Sequence, residues 1–553
     1  MLTPSQRANP MSCRAMVTSP HYLATEAGLA ILRKGGNALE SAIAMASVLA
    51  VVYPHMCSLG GDAFWLMYSD RFLSSQPLGL KAVNASGRSG AKVSLDYCTS
   101  LNATAIPHRG YQACLTVPGM VSALETAFTT SCAMGGKLSW SELLEDALFY
   151  AEEGMVVSTS LACHSENYFS EHRKAPREVP LKKDLSSIFF PEGKPLRCGQ
   201  LLRQKDLARS LSLLMEEGPR SFYEGTLSQR LVRDLRKHGN PLTADDFANY
   251  RASFVDPISV SYRDTIACNL PPNSQGMASL EILNILNNFD VQSLGHGSAD
   301  YYHLLIEATK LAFIDRDRYL ADPDFSDVPL ITLLSKDYGR ELAKDIDFKK
   351  AQNYADAIDL SGDTVWFGVL DAQGNAVSWI QSLCYDFGAA IVPKETGIIL
   401  HNRASCFSLQ PKHINCIAPM KRPFHTLNPA LLLQKGRPLL IYGSMGGQGQ
   451  PQTQTALVTR IVDFGMLPQE ALDQPRWMYG QAFGKASSDI QMEARIAPAI
   501  REELAERGHS ITEVSAYHDL MGHAGALLIR RNGQDSVCYG GSDPRSDGLA
   551  LGF

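Results

Sequence analysis

Gly362-Asp363-Thr364-Val365-Trp366-Phe367-Gly368-Val369-Leu370-Asp371 marks the point where a polar, turn-prone segment gives way to a β-rich run. After the turn Ala372-Gln373-Gly374-Asn375 comes a second run, Ala376-Val377-Ser378-Trp379-Ile380-Gln381-Ser382. Two such runs about a Gly/Asn turn predict a β-hairpin. Thr364 then stands at the open end of one strand and Ser382 at the end of its partner. A hydroxyl is a weak nucleophile until a base lies beside it. A free α-amino group, with a reference pKa of about 7.7–8.0, can be that base near neutral pH. Thr364 gains one only if the chain is cut between Asp363 and Thr364.

Composition limits the alternatives. The 553 residues, 45% hydrophobic and 20% charged, are those of a globular protein too long for one simple core. A net charge of −6 leaves no electrostatic footprint for nucleic acid or an anionic membrane. The twelve cysteines include no Cys-x-x-Cys pair, and no histidine cluster has ligand spacing, so neither a metal nor a disulfide framework is expected. Reduced thiols fit a cytoplasmic setting. The opening Met1-Leu2-Thr3-Pro4-Ser5-Gln6-Arg7 has no apolar segment behind a basic one, so no secretory signal is expected. The most apolar stretch, 42–53, is too short to span a bilayer.

Further signals punctuate the chain. Ser19-Pro20 predicts a helix start, with Gly35-Gly36 as its end and Asn37 opening a second helix that Pro54 stops. Ser58-Leu59-Gly60-Gly61-Asp62-Ala63-Phe64 reads as a glycine turn into a strand. His108-Arg109 reads as a solvated turn and 201–217 as an amphipathic helix. Asp315-Arg316-Asp317-Arg318 reads as a solvated or salt-bridged helix face, and Glu307 as structural. The polar stretch 336–360, weakly periodic, suits a linker free to leave Thr364 after cleavage.

From Thr364, the run Thr-Val-Trp-Phe-Gly-Val-Leu-Asp-Ala-Gln-Gly-Asn-Ala-Val resembles the nucleophile segment of the γ-glutamyltranspeptidase family of N-terminal-nucleophile hydrolases. The resemblance extends through Gly397–Ser408, Ala418–Pro429, Tyr442–Pro451 and Ser542–Gly548. It implies an αββα sandwich, two central sheets between helical layers. It also implies a zymogen cut autocatalytically into a large chain, 1–363, and a small chain, 364–553, which form one heterodimeric unit and admit a dimer of heterodimers. The implied roles are Thr364 as nucleophile and α-amino base, Ser382 as its support, and the Gly446 and Gly447 N–H groups as an oxyanion hole. His425 and Thr426 stand where the family has two serines facing the substrate carboxylate. No cofactor and no metal is implied.

The departures bear on the substrate. Ser86 stands where the family has the arginine that holds a γ-glutamyl α-carboxylate, with Arg88 nearby but out of register. Arg403 and Cys406 replace the Gln/Glu and Asp that grip the α-ammonium, and Cys384 replaces an Asn. Arg403 repels an ammonium but can hold a carboxylate bidentately. The resemblance is nearest to the family's oxamate-hydrolysing members of purine catabolism, which implies a small amide anion as partner. The alternatives are a γ-glutamyl hydrolase or transpeptidase acting on glutathione-like substrates, and an uncleaved relative that binds a metabolite without catalysis.

Overall fold

The computed structural model describes residues 7–101, 104–352, 363–480, 489–533 and 535–553. The predicted hairpin is its centre. Strand Asp363–Leu370 pairs antiparallel with Ala376–Cys384 through the turn 371–375. Asp371 fixes that turn by accepting from the N–H groups of Gln373 and Asn375, each at 2.9 Å.

The hairpin lies inside a seven-stranded sheet whose order is Leu549–Gly552, Met16–Ser19, Asp363–Leu370, Ala376–Cys384, Asp62–Tyr68, Leu80–Ala85, Ser253–Val255. A second seven-stranded sheet runs Met11–Ser12, Asp535–Ser542, Ala524–Asn532, Arg437–Ser444, Ala430–Gln434, Thr265–Asn269, Ile258–Tyr262.

Side-chain alternation shows how the layers stack. On the hairpin, Val365, Phe367, Val369, Val377 and Trp379 join the core shared with helices Tyr22–Arg33, Ala38–Val52 and Met120–Ala133. Trp366, Leu370, Ala376 and Ile380 face the other way, against Leu431, Ile441 and Leu527 of the second sheet. The far face of the second sheet packs on helices Gly276–Leu286, Ala299–Tyr319 and Gln450–Val462. The architecture is therefore the four-layer αββα sandwich, with both sheets buried on both faces.

One residue sets how closely the sheets approach. A β-carbon on Gly443 would lie 2.2 Å from the Trp366 ring, and one on Gly525 would lie 2.4 Å from it. Both strands carry glycine there because the indole occupies the space. Its N–H donates to Ser378 Oγ at 2.9 Å, so the ring's polar atom is satisfied between the sheets.

Several local expectations need correction. The first helix is Tyr22–Arg33, capped by the His21 side chain; Ser19 ends a strand instead. The second helix starts at Asn37 as expected, with a capping box to Glu40. The segment 201–217 divides into a short strand, Leu201–Leu202, and a helix, Lys205–Glu217. The polar stretch after 336 is not a linker at its start: Lys336–Lys344 is helical, and residues up to Gln352 are held by protein contacts. Its later part, 353–360, and Gly362 lie outside the described residues.

Candidate active site

Thr364 lies at the end of the first sheet, fully buried. Asp363 pairs with Cys384 and Val365 with Gln381, so Ser382 and Leu383 together oppose the single residue Thr364. Such a bulge re-aims the side chains beside it. Ser382 pairs in turn with Asp62 on the next strand, which places Thr364, Ser382 and Asp62 in one row across three strands. Among the described residues no hydrogen-bond partner reaches Thr364 Oγ1. A buried hydroxyl left unpaired is costly in a purely structural role, so its place here calls for another explanation.

Thr364 shares the Trp366 face, turned toward the second sheet. Gly368 meets Ile441 there and Trp366 meets Gly443. Past Gly443 that strand ends at Ser444, and Met445 leads directly into Gly446 and Gly447. Gly446 has φ 128° and Gly447 φ 51°, the left-handed region that favours glycine. The Gly446 carbonyl accepts from Gly449 N–H at 2.7 Å, so Gly447 N–H, across the same planar peptide, points the opposite way.

Arg403 is fully buried at the start of the turn Arg403–Cys406. It donates from Nη2 to Ser382 Oγ at 3.1 Å and from Nη1 to Thr426 Oγ1 at 3.2 Å. Burial opposes its charge, but the Cys384 and Cys406 sulfurs and the Asp62 carboxylate more than offset this, so the guanidinium is held above its ordinary pKa. The structure thus brings together Thr364, Ser382, Arg403 and Thr426.

His425 is placed differently from a direct ligand. Its Nε2 donates to Asp62 Oδ2 at 3.2 Å and its Nδ1 accepts from Leu427 N–H at 3.3 Å. Burial pushes this histidine down to about 3, so it is neutral, with both ring nitrogens in use. Burial alone would raise the Asp62 carboxyl, but His401 and His425 hold it well below the usual carboxylate range. Asp62 Oδ1 also accepts from Gly87 and Gly119 N–H, at 3.0 and 3.1 Å, so this carboxylate ties four segments together behind the site.

Ser86 spends its hydroxyl on Asn84 Oδ1 at 2.7 Å. Arg88 is bound to Asp322 and Asp324, so it does not substitute for the family arginine. Arg109 corrects the solvated-turn expectation: its side chain is buried and pairs with Asp386 at 2.7 Å.

Two positioning residues escaped the sequence reading. Arg316 is fully buried and donates to Gln448 Oε1 at 3.0 Å and to Gln275 Oε1 at 3.5 Å. Gln275 Nε2 then donates to the carbonyls of Thr426, 2.8 Å, and Gly447, 2.9 Å. One amide therefore links the Arg403 side of the site to the glycine pair. Of the solvated or salt-bridged face expected for this run, the salt bridge is present, Arg316 to Asp317 at 2.7 Å, but the guanidinium is buried rather than solvated.

A second polar cluster lies elsewhere. His303, Glu307 and His509 bring one potential ligand atom each within 4.8 Å of one another, and the His303/Glu307 spacing on one helix face was the signal for it. Lys310 already fills the cluster, donating to Glu307 Oε1 at 2.8 Å and to the Gln352 carbonyl at 3.0 Å. Glu307 Oε2 accepts from Gln352 N–H at 3.1 Å, and His303 Nε2 lies 2.9 Å from the Asp347 carbonyl. The cluster thus serves as an anchor for residues 347–352.

Comparison with known proteins agrees with this geometry. The family described as Gamma-glutamyltranspeptidase matches residues 24–553. The chain is 43% identical to the Glutathione hydrolase-like YwrD proenzyme of Bacillus subtilis over 98% of each chain. It is 40% identical to the Oxamate amidohydrolase proenzyme of Klebsiella pneumoniae, over 98% of this chain and 99% of that one. The crystal structure of cephalosporin acylase from Bacillus halodurans superposes with a TM-score of 0.90 at 33% identity, covering 100% of this chain and 98% of that chain. No helix among the described residues is long and apolar enough to cross a membrane.

Proposed function

This chain belongs to the gamma-glutamyltranspeptidase family of amide-bond hydrolases, and from that premise we propose that it hydrolyses oxamate to oxalate and ammonia. Thr364, freed by autocleavage after Asp363, attacks the amide carbonyl, and its own α-amino group takes the hydroxyl proton. Gly446 and Gly447 N–H groups receive the oxyanion. Ammonia leaves with a proton returned from the α-ammonium, and water releases oxalate by the reverse sequence. Ser382 and Thr426 orient Arg403, which holds the substrate carboxylate. His425 contributes through Asp62 and the segment it shares with Thr426, since its own nitrogens are occupied. A cytoplasmic place in purine breakdown accords with reduced thiols and with this substrate.

The observation that carries the reading is Arg403 itself: a buried guanidinium beside Ser382, at a position where a γ-glutamyl enzyme needs groups that bind an ammonium. A second reading, a γ-glutamyl hydrolase, is supported by the 43% identity to a glutathione hydrolase-like protein. Ammonia release from oxamate, set beside cleavage of a γ-glutamyl anilide by the same preparation, separates the two. Turnover of the anilide in preference to oxamate would overturn the first reading.

A further inference from the structure

The two thiols beside Arg403 have no part in the hydrolysis described above. Cys384 ends the strand Ala376–Cys384, and Cys406 ends the turn Arg403–Cys406. Both are buried, and their sulfurs lie 3.9 Å apart. Cys384 has φ 82°, a conformation uncommon for a residue with a side chain. Arg403 Nη1 lies 3.8 Å from Cys406 Sγ. Burial and the interaction with Cys406 push the Cys384 thiol well up. The hydrogen bond from Cys384, together with the Arg403 charge, pulls Cys406 down to about 7 against burial. The two sulfurs are thus in contact, with Cys406 the more readily ionised of the two, as an attacking cysteine is beside its resolving partner. Cys406 also lines a cavity of about 430 Å³ with Arg316, Asp317, His413, Asn415 and Phe424, which gives a small oxidant room to approach. None of the twelve cysteines is disulfide-bonded.

We propose that Cys384 and Cys406 form a reversible disulfide that switches the hydrolase off in the presence of a peroxide. The Cys406 thiolate attacks one peroxide oxygen and the O–O bond breaks. This gives a sulfenic acid and an alkoxide or hydroxide, which takes a proton from solvent. The Cys384 sulfur then attacks the sulfenic sulfur, loses its proton, and expels the oxygen as water. Two thiols are oxidised by two electrons and one O–O bond is reduced. A disulfide is about 2.05 Å long, so the sulfurs must close by about 2 Å. That movement shifts the turn carrying Arg403 against the strand carrying Ser382, so the 3.1 and 3.2 Å hydrogen bonds that orient the guanidinium on Ser382 and Thr426 cannot both keep their geometry. The cross-link follows from the two sulfurs alone; its effect on turnover rests on Arg403 holding the substrate as proposed above.

The test uses the full chain with the exposed Cys13, Cys132, Cys163 and Cys198 replaced by serine. It is treated with hydrogen peroxide and assayed on whichever amide the reduced enzyme hydrolyses. Peptide mass spectrometry should find a Cys384–Cys406 cross-link. Its appearance should track a fall in kcat/KM of about tenfold or more, the scale of a lost charged hydrogen bond. Dithiothreitol should restore the activity. Cys384→Ser and Cys406→Ser should each lose that reversible component relative to their own untreated rates. If both thiols stay reduced, or the link forms and turnover does not change, the switch is wrong. Reduced enzyme that is inert on oxamate but forms the link would instead count against the substrate assignment.

Discussion

Arg403 donates from Nη2 to the Ser382 hydroxyl at 3.1 Å, which fixes the guanidinium to the strand that pairs with the one carrying Thr364. A cation so held has little freedom to turn away from a substrate placed over Thr364. Its loss should therefore register in specificity as much as in rate.

Arg403→Gln should lower kcat/KM for oxamate by about ten- to a hundredfold, the scale of a charged hydrogen bond. Arg403→Lys should recover part of this, since an ammonium keeps the charge and loses the planar fork. Steady-state kinetics on oxamate and on a γ-glutamyl anilide check both. Unchanged oxamate turnover in the glutamine variant would remove Arg403 from the binding site.

Wild-type protein should run as two chains on a denaturing gel, the smaller beginning Thr-Val-Trp-Phe. Thr364→Ala should stay as one chain without amidase activity. An intact, fully active wild-type chain would end the N-terminal-nucleophile reading.

Gly446→Ala and Gly447→Ala should differ. Alanine reaches φ 51° at a cost of about 1–2 kcal/mol, whereas φ 128° is open essentially to glycine alone. The Gly446 variant should lose on the order of 10²–10³ in kcat, as when an oxyanion donor is removed. The Gly447 variant should lose less. Equal and wild-type kcat values for both would exclude the oxyanion role.

Acid should destabilise the fold before the carboxylates titrate. His425 is pushed from an ordinary value of about 6.5 down to about 3 by burial. Between those limits the unfolded chain binds a proton that the native chain refuses. Stability therefore falls as pH drops from about 6.5 toward 3, by at most about 1.4 kcal/mol per pH unit for each such histidine. Asp62, held low, adds a loss in the same direction, present as stability above about 3.9 and lost below it. Melting temperature against pH should be shallower for His425→Gln. It should not become flat, because burial also pushes His21, His296 and His509 to about 3. Parallel curves would contradict the assignment.

The hairpin, the helix after Asn37 and the glycine turn were legible in sequence because their determinants are local: a four-residue turn, a cap, paired glycines. Arg403 and Cys406 were legible through register with known relatives. What could not be read were partnerships across long separations. His425 meets Asp62 across 363 residues, and Arg316 meets Gln448 across 132. Without those partners a buried arginine flanked by two aspartates looks like any charged surface. His425 likewise looked available to substrate until both ring nitrogens were seen to be taken.

Both central sheets interleave strands from either side of the Asp363–Thr364 bond. In the first, strands 363–370 and 376–384 lie between 16–19 and 62–68; in the second, 430–434 pairs with 265–269. A cut there severs the polymer without creating two bodies that could drift apart, since separation would strip a neighbour from strands in each sheet. The halves of a chain so cut would remain one cooperative unit. Expressed from two separate genes, they would have to find each other as unpaired edges at cellular concentration, in competition with aggregation. A single reading frame makes that encounter intramolecular, and the bond can be dispensed with once the sheets have closed.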